Sequence, residues 1–190
     1  NQDDNLPIKT VAQYELSIID HLGLLKVDFL GLDTLTIMNK CCEFIKERHG
    51  KSYDLDSIPT NDPAVLDYLS QGHTSGVFQL EGTGMTRYIK EMKPTDLSHV
   101  IAMIALFRPG PMEFIPDYID RMHGLKPITY RHERMEKIVK DTFGIPVYQE
   151  QLMMAVMEMA GYKPAEADDL RKAISKKIKE SIEKHKVKFI

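Results

Sequence analysis

The stretch DTLTIMNKCCEFIKERHG, residues 33–50, decides the fold class predicted for this chain. Its apolar residues recur at the three- and four-residue spacing of one helix face: Leu35, Met38, Cys42 and Ile45. Asp33 or Thr34 is the candidate N-cap, basic residues fill the last turn, and Gly50 follows as a stop signal. The stretch therefore predicts an amphipathic α-helix.

Short helical patterns separated by glycine and proline continue along most of the sequence. Asp62 and Pro63 open a second helix that Gly72 ends. Further helices are predicted at 84–92, 95–106, 114–123, 131–141, 148–160 and from Pro164 onward. The pattern breaks at 76–80, a short strand or extended turn, and at 22–30, a candidate strand. We therefore expect a mainly α, multi-helical fold with a short β segment.

Composition places the chain among globular proteins. Its 190 residues are 43% hydrophobic, enough for a core in one compact domain or two small ones, which excludes disordered and low-complexity classes. The longest uninterrupted apolar run, 100–107, is far shorter than the roughly 20 residues of a membrane-spanning helix. The two cysteines, Cys41 and Cys42, are adjacent, which disfavours an ordinary disulfide and a zinc site. We expect a cytoplasmic protein without a membrane segment.

Side chains alternate in the candidate strand at 22–30. On a strand, Lys26 and Asp28 project from one face about 7 Å apart, and Val27 faces the opposite, core side. A carboxylate beside a lysine suits a Mg²⁺-bound phosphate, because Mg²⁺ prefers oxygen ligands and the ammonium neutralises phosphoryl charge. A weak surface ion pair is the alternative. Two-metal chemistry needs further acids, which we expect outside this chain.

Basic residues gather in the C-terminal arm, residues 171–190. The arm contains eight basic and two acidic residues, although the whole chain has a net charge of −3. This is the electrostatic footprint of a phosphate or nucleic-acid binder, and a solvated lysine-rich helix face is the alternative. Arg171 and Lys172 offer a planar fork and a point charge to a triphosphate or to DNA phosphates, unless Arg171 only pairs with Asp168 on its own helix.

Five motifs resemble one protein family in identity, order and spacing: KVDFLGL at 26–32, GVFQLE at 76–81, ALFRPGPM at 105–112, YQEQ at 148–151 and ADDLRK at 167–172. The family is that of the bacterial C-family replicative DNA polymerases, the polymerase III alpha subunits. The resemblance runs from about Tyr14 to about Phe189. It implies that residues 1–33 are the C-terminal end of a palm domain, and that residues 34–190 are part of a helical fingers domain.

The resemblance also implies roles for individual residues. Asp28 matches the third of three palm aspartates that hold two Mg²⁺ ions, and Lys26 matches a lysine that contacts the incoming triphosphate. Arg171 and Lys172 match a pair of arginines in the fingers, where lysine at 172 retains the charge without the guanidinium fork. Arg108 matches a family position that could face the nucleotide or DNA, or could be structural.

The activity implied is template-directed transfer of a nucleotide from a dNTP to the 3′ hydroxyl of a primer. The implied partners are dNTP, primer–template DNA, the rest of the polymerase chain and the replicative holoenzyme subunits. We expect this chain to be an excised fragment that is inactive alone. Two other classes stay open: a non-catalytic helical module that binds nucleic acid through the basic arm, and a scaffold whose Met-rich helices dock a partner protein.

Overall fold

The computed structural model describes residues 11–29 and 31–189. Residues 1–10, Leu30 and Ile190 lie outside the described residues, and with them the start of the predicted palm segment and the end of the predicted strand. The described residues are mainly helical, as predicted. Their α-helices are α1 Leu16–His21, α2 Asp33–His49, α3 Pro63–Ser70, α4 Thr83–Met92, α5 Leu97–Leu106, α6 Ile115–Met122, α7 Glu136–Val139, α8 Gln149–Ala160, α9 Pro164–Ser175 and α10 Lys179–Phe189. They fall into two compact units, one ending at Ile58 and one beginning at Pro59.

The first unit contains α1 and α2. Leu32 is the N-cap of α2, so the predicted cap at Asp33 or Thr34 is wrong by one or two residues. Asp33 instead lies in the first turn, where its negative charge interacts favourably with the positive end of the helix dipole and stabilises the helix. Gly50 ends the helix as predicted, in a left-handed conformation with φ of 62°.

The apolar face of α2 is only partly covered within the described residues. The helix contains no buried residue; on this face Leu35 and Met38 are 57% and 39% exposed, and Cys42 and Ile45 are half-buried. A contiguous apolar face of this kind is typical of a surface that another part of a protein covers.

The second unit begins with the predicted helix at Asp62 and Pro63. The Asp62 carboxylate accepts hydrogen bonds from the backbone N–H groups of Ala64 and Val65, at 2.8 and 3.4 Å. These contacts satisfy N–H groups that have no partner inside the helix. Residues 76–80, predicted as a short strand or an extended turn, form successive turns and no strand.

Helices α3 to α6 enclose the main hydrophobic core. Its largest fully buried side chains are Ile89, Met92, Met103, Leu106, Ile115 and Tyr118. A second, smaller core lies between α8 and α9, where the partly buried Met153 and Met157 pack. The neighbouring Met154 is 46% exposed and lies outside this core.

The predicted helix from Pro164 onward is interrupted. Helix α9 ends at Ser175, and α10 begins at Lys179. The Tyr162 hydroxyl donates to the backbone carbonyl of His185 at 2.9 Å, and the Lys188 ammonium lies 4.7 Å from the centroid of the Tyr162 ring. These two contacts hold α10 against the end of α8.

His99 should make the second unit less stable in acid. Burial is the main cause that lowers the pKa of His99; the charge of His123 adds to it, and Asp96 opposes it. The neutral ring accepts a hydrogen bond at Nδ1 from the Thr95 N–H at 3.3 Å. Since the folded chain then binds fewer protons than the unfolded chain, the free energy of unfolding should fall as the pH drops below about 6.5.

Urea unfolding at pH 7.5 and pH 5.0 measures this effect. His99→Asn keeps an acceptor near the Nδ1 position and cannot titrate, so its stability should fall less between the two pH values. An equal fall in the variant and the unsubstituted chain would contradict the assignment.

Candidate functional site

Residues 24–29, where the short β segment was predicted, have no regular secondary structure. A strand is stabilised by hydrogen bonds to a neighbouring strand, and the described residues form no strand that could supply them. The alternate apolar residues also lack cover: Val27 is 57% exposed, although it was predicted to face a core. The predicted β segment is therefore not observed among the described residues.

Lys26 and Asp28 nevertheless project to the same side. The Lys26 ammonium donates a hydrogen bond to the Asp28 carboxylate at 3.0 Å. The two side chains are 52% and 77% exposed. An ion pair this exposed contributes only about 0–1 kcal/mol to stability. Either group can therefore leave this ion pair and bind a stronger ligand.

The basic pair on α9 is held more firmly. Arg171 is 26% exposed and contacts the Asp168 carboxylate through Nε and Nη2, at 2.8 and 2.7 Å. Its Nη1 donates to the Gln149 side-chain oxygen on α8 at 3.1 Å. Lys172 reaches the second oxygen of Asp168 at 2.7 Å. Side chains from two helices thus fix the direction of the guanidinium. The Arg171–Asp168 pair, given above as the alternative to phosphate binding, is present.

These contacts favour the charged forms of Asp168 and Lys172. Hydrogen bonds from Lys172 and Arg171 lower the pKa of Asp168, and the hydrogen bond to Asp168 raises the pKa of Lys172. One carboxylate therefore faces two cations. Counted alone, these three groups carry one net positive charge, which can attract an anion, and the nearby Asp169 carboxylate offsets part of it.

Arg108 lies on a tight loop between α5 and α6. Its backbone carbonyl accepts from the Met112 N–H at 3.1 Å, and Gly110 has φ of 101°, a conformation that favours glycine. The preceding Phe107 ring packs on Gly84, where an added Cβ would lie 3.1 Å from the ring. Arg108 itself is exposed and makes no side-chain hydrogen bond or ion pair with the described residues. The loop thus presents an unpaired guanidinium on a well-anchored backbone.

The predicted site residues are divided between the two units. Lys26 and Asp28 belong to the first unit, and Arg108, Arg171 and Lys172 belong to the second. Sequence reasoning missed the contact of Gln149 with Arg171. The motif at 148–151 drew attention to Gln149, but a contact across 22 residues between two helices leaves no periodic signal.

A complete metal centre is not formed by the described residues. Within 11–29 and 31–189, no group of three or more His, Cys, Asp or Glu side chains could hold a metal ion. Asp28 could supply one carboxylate ligand, because it is exposed and bound only by Lys26. In the same part of the chain, no helix has the length and apolar character that crossing a membrane requires.

Comparison with known proteins identifies the class of domain. Residues 34–190 match the family described as the bacterial DNA polymerase III alpha subunit finger domain. A fingers domain of a DNA polymerase agrees with the helical fold described above.

Related full-length proteins extend the match to almost the whole chain. DNA polymerase III subunit alpha of Thermus aquaticus is 45% identical over 187 residues, which cover 96% of this chain and 15% of that protein. The subunit of Bacillus subtilis is 45% identical over 180 residues, covering 95% and 16%, and that of Aquifex aeolicus is 44% identical over 184 residues, covering 96% and 16%. The chain belongs to the bacterial DNA polymerase III alpha subunit family, and it spans about 15% of the length of these relatives.

Proposed function

We propose that this chain is part of a replicative DNA polymerase that transfers a nucleotide from dNTP to the 3′ hydroxyl of a primer on template DNA, and that its own residues bind the incoming nucleotide. The observation that carries the proposal is the cluster of Arg171 and Lys172 around Asp168, within a fingers domain of this family.

The cluster on α9 suits a triphosphate. Arg171 is already directed by Asp168 and Gln149, so little side-chain entropy is lost when an anion replaces one of these contacts. Lys172 adds a point charge from the neighbouring position. A triphosphate carries several negative charges and can therefore compete with the single carboxylate of Asp168 for both cations.

Lys26 and Asp28 would take part in the same reaction, Asp28 as a metal ligand and Lys26 as a contact to the triphosphate. Asp28 would provide one oxygen ligand to Mg²⁺, and the other ligands would come from residues beyond the described part of this chain. When bound, Mg²⁺ makes the primer hydroxyl more acidic and neutralises charge on the phosphates. Lys26, released from Asp28, would bind the triphosphate. The exposed ion pair seen here would separate at a cost of only about 0–1 kcal/mol.

In this mechanism the primer 3′ oxygen bonds to the alpha phosphorus, and the bond to the beta-phosphate oxygen breaks. The hydroxyl proton leaves the primer, and pyrophosphate departs with the negative charge. Lys26, Arg171 and Lys172 would stabilise that charge, and Arg108 would face the nucleotide or DNA from its anchored loop.

We also propose the domain assignment predicted from the sequence, with 1–33 as the end of the palm and 34–190 as part of the fingers. In the full-length chain, residues 24–29 would pair with the palm sheet, and the exposed face of α2 would pack on the rest of the polymerase. The complete protein would act in the cytoplasm with primer–template DNA and the other holoenzyme subunits. The isolated chain would be inactive, because Asp28 alone does not make a two-metal centre.

Steady-state primer extension by the full-length chain tests the nucleotide site. Arg171→Ala should lower kcat/KM for dNTP by about 10–100-fold, since a hydrogen bond to a charged group is worth about 1.5–3 kcal/mol. Lys172→Arg should retain activity, because the charge remains and a fork is added.

Arg87→Ala is the matched control, because Arg87 is also paired with an acid on its own helix, Glu91 at 3.5 Å. Equal kinetics for Arg171→Ala and Arg87→Ala would remove Arg171 from the site. The isolated chain should give no extension in the same assay, and measurable synthesis would contradict its proposed inactivity.

A further inference from the structure

The basic side chains of the C-terminal arm differ in whether an acid neutralises them. Five form ion pairs with carboxylates of the same chain: Arg171, Lys172, Lys184, Lys186 and Lys188. Three have no carboxylate partner among the described residues: Lys176, Lys177 and Lys179. These three lie together where α9 gives way to α10, and we refer to them as the cationic turn. The basic residues of the arm that have no acidic partner among the described residues are thus concentrated at this turn.

Two backbone hydrogen bonds fix the conformation of the cationic turn. The Ile178 N–H donates to the Ala173 carbonyl at 2.9 Å, and the Lys177 N–H donates to the Ile174 carbonyl at 3.1 Å. This is the hydrogen-bond pattern of a Schellman motif, which places one residue in the left-handed region, usually glycine. Lys177 occupies that position with φ of 54°. The Cβ atom of any residue other than glycine is disfavoured in this conformation. Lysine at position 177 therefore lowers the local stability while adding a positive charge.

All three lysines are exposed, and the nearest acid in the sequence is already occupied. Glu180 accepts an ion pair from Lys184 at 2.9 Å. The cationic turn is also separate in character from the Arg171 cluster, because it contains no guanidinium and no carboxylate to direct its side chains. Flexible point charges of this kind suit a repeating polyanion, whose phosphates need no fixed geometry.

We infer that the cationic turn binds the phosphate backbone of DNA, separately from the triphosphate contacts of Arg171 and Lys172. The inference rests on the proposed function, since it takes the DNA to be the primer–template. Binding would release counterions from the DNA, and the affinity would therefore depend on the salt concentration. The phosphates of a bound nucleotide share the same chemistry, and the experiments below distinguish the two sources.

The first experiment compares two double variants of the full-length chain with equal loss of charge. Lys176→Gln with Lys179→Gln removes unpaired charges of the turn. Lys184→Gln with Lys186→Gln removes ion-paired charges of α10. The dissociation constant of a primer–template duplex is measured between 50 and 200 mM salt, and the KM for dNTP is measured alongside.

The turn variant should reduce the slope of log affinity against log salt by roughly 1.5, since each phosphate contact contributes about 0.7–0.9. The α10 variant should reduce it by less, and the KM for dNTP should stay unchanged in both. Equal slopes in the two variants would overturn the inference. A raised KM with unchanged DNA affinity would also overturn it, and would assign the turn to the nucleotide instead.

The second experiment uses glycine to separate charge from folding. Lys177→Gly removes a charge from a position where glycine suits the backbone better, so the variant should melt at a higher temperature and bind DNA more weakly. Lys93→Gly is the control, because Lys93 ends α4 in the same left-handed conformation with φ of 48° and lies outside the turn. It should raise the melting temperature without changing DNA affinity.

Unchanged DNA affinity in a stabilised Lys177→Gly variant would refute the role of the turn. Failure of the proposed function is distinguishable from this result, because the unsubstituted full-length chain would then fail to extend the primer at all. Normal extension together with unaltered salt slopes would refute only the inference about the turn.

Discussion

Replacing Asp28 by asparagine in the full-length chain is expected to reduce primer extension by about 10²–10³-fold or more, the loss that follows removal of one group that stabilises transition-state charge. Asparagine has the same shape as aspartate, but a neutral amide is a much weaker ligand for Mg²⁺ than a carboxylate. The fold should not change, because the Asp28 side chain is 77% exposed and its one side-chain contact with the described residues is the weak ion pair with Lys26. Single-turnover extension at saturating dNTP measures the effect.

Asp33→Asn is the matched control for this experiment. Asp33 is another exposed carboxylate of the first unit, at the start of α2, and its loss should leave extension within about twofold while removing a helix-dipole contact worth about 0.3–1 kcal/mol. Lys26→Ala should mainly raise the KM for dNTP, which separates nucleotide binding from metal binding. Undiminished synthesis by Asp28→Asn would refute the metal assignment.

The same variant distinguishes the proposal from a purely nucleic-acid-binding module. Such a module has no use for a carboxylate beside Lys26, so removing the negative charge of Asp28 would leave DNA binding unchanged or strengthen it without affecting any reaction. Loss of extension with intact DNA affinity is expected only when Asp28 takes part in the chemistry.

Helix boundaries could be predicted wherever a specific residue forms the cap. Asp62 with Pro63 and Gly50 are such cases, because a side-chain acceptor and a left-handed glycine act on the helix end next to them. The end of α9 at Ser175 could not be predicted. Ile174 and Ile178 continue the apolar spacing across it, and the left-handed residue that ends the helix is Lys177, which carries no glycine or proline signal.

The predicted strand shows where a local pattern is insufficient. Alternation correctly placed Lys26 and Asp28 on the same side, because that relation concerns residues two apart. Strand formation depends on hydrogen bonds to a neighbouring strand, and the alternating pattern of residues 22–30 does not show whether such a strand is present. The contact of Arg171 with Asp168 was predictable for the same local reason, whereas its contact with Gln149 required the packing of α8 against α9.

Gln151 is the clearest structural residue that the sequence did not reveal. It is only 5% exposed, and its side chain makes four hydrogen bonds. Its oxygen accepts from the N–H groups of Val147 and Tyr148 at 2.8 and 3.0 Å, and its nitrogen donates to the Ile138 carbonyl and the Thr142 hydroxyl at 3.1 and 2.9 Å. One amide thus joins the start of α8, which carries Gln149, to the segment at 138–142.

Gln151→Leu should therefore lower the free energy of unfolding of this chain by about 3–5 kcal/mol, because it leaves several polar groups without partners at about 1–3 kcal/mol each. That is a large part of the total stability of a typical domain, about 5–15 kcal/mol. Gln149→Leu makes the same chemical change at an exposed position of the same helix and should cost less than about 1 kcal/mol. Urea unfolding followed by circular dichroism measures both variants. Similar midpoints for the two would show that the amide of Gln151 does not hold α8 in place, and that the orientation of Gln149 towards Arg171 depends on other contacts.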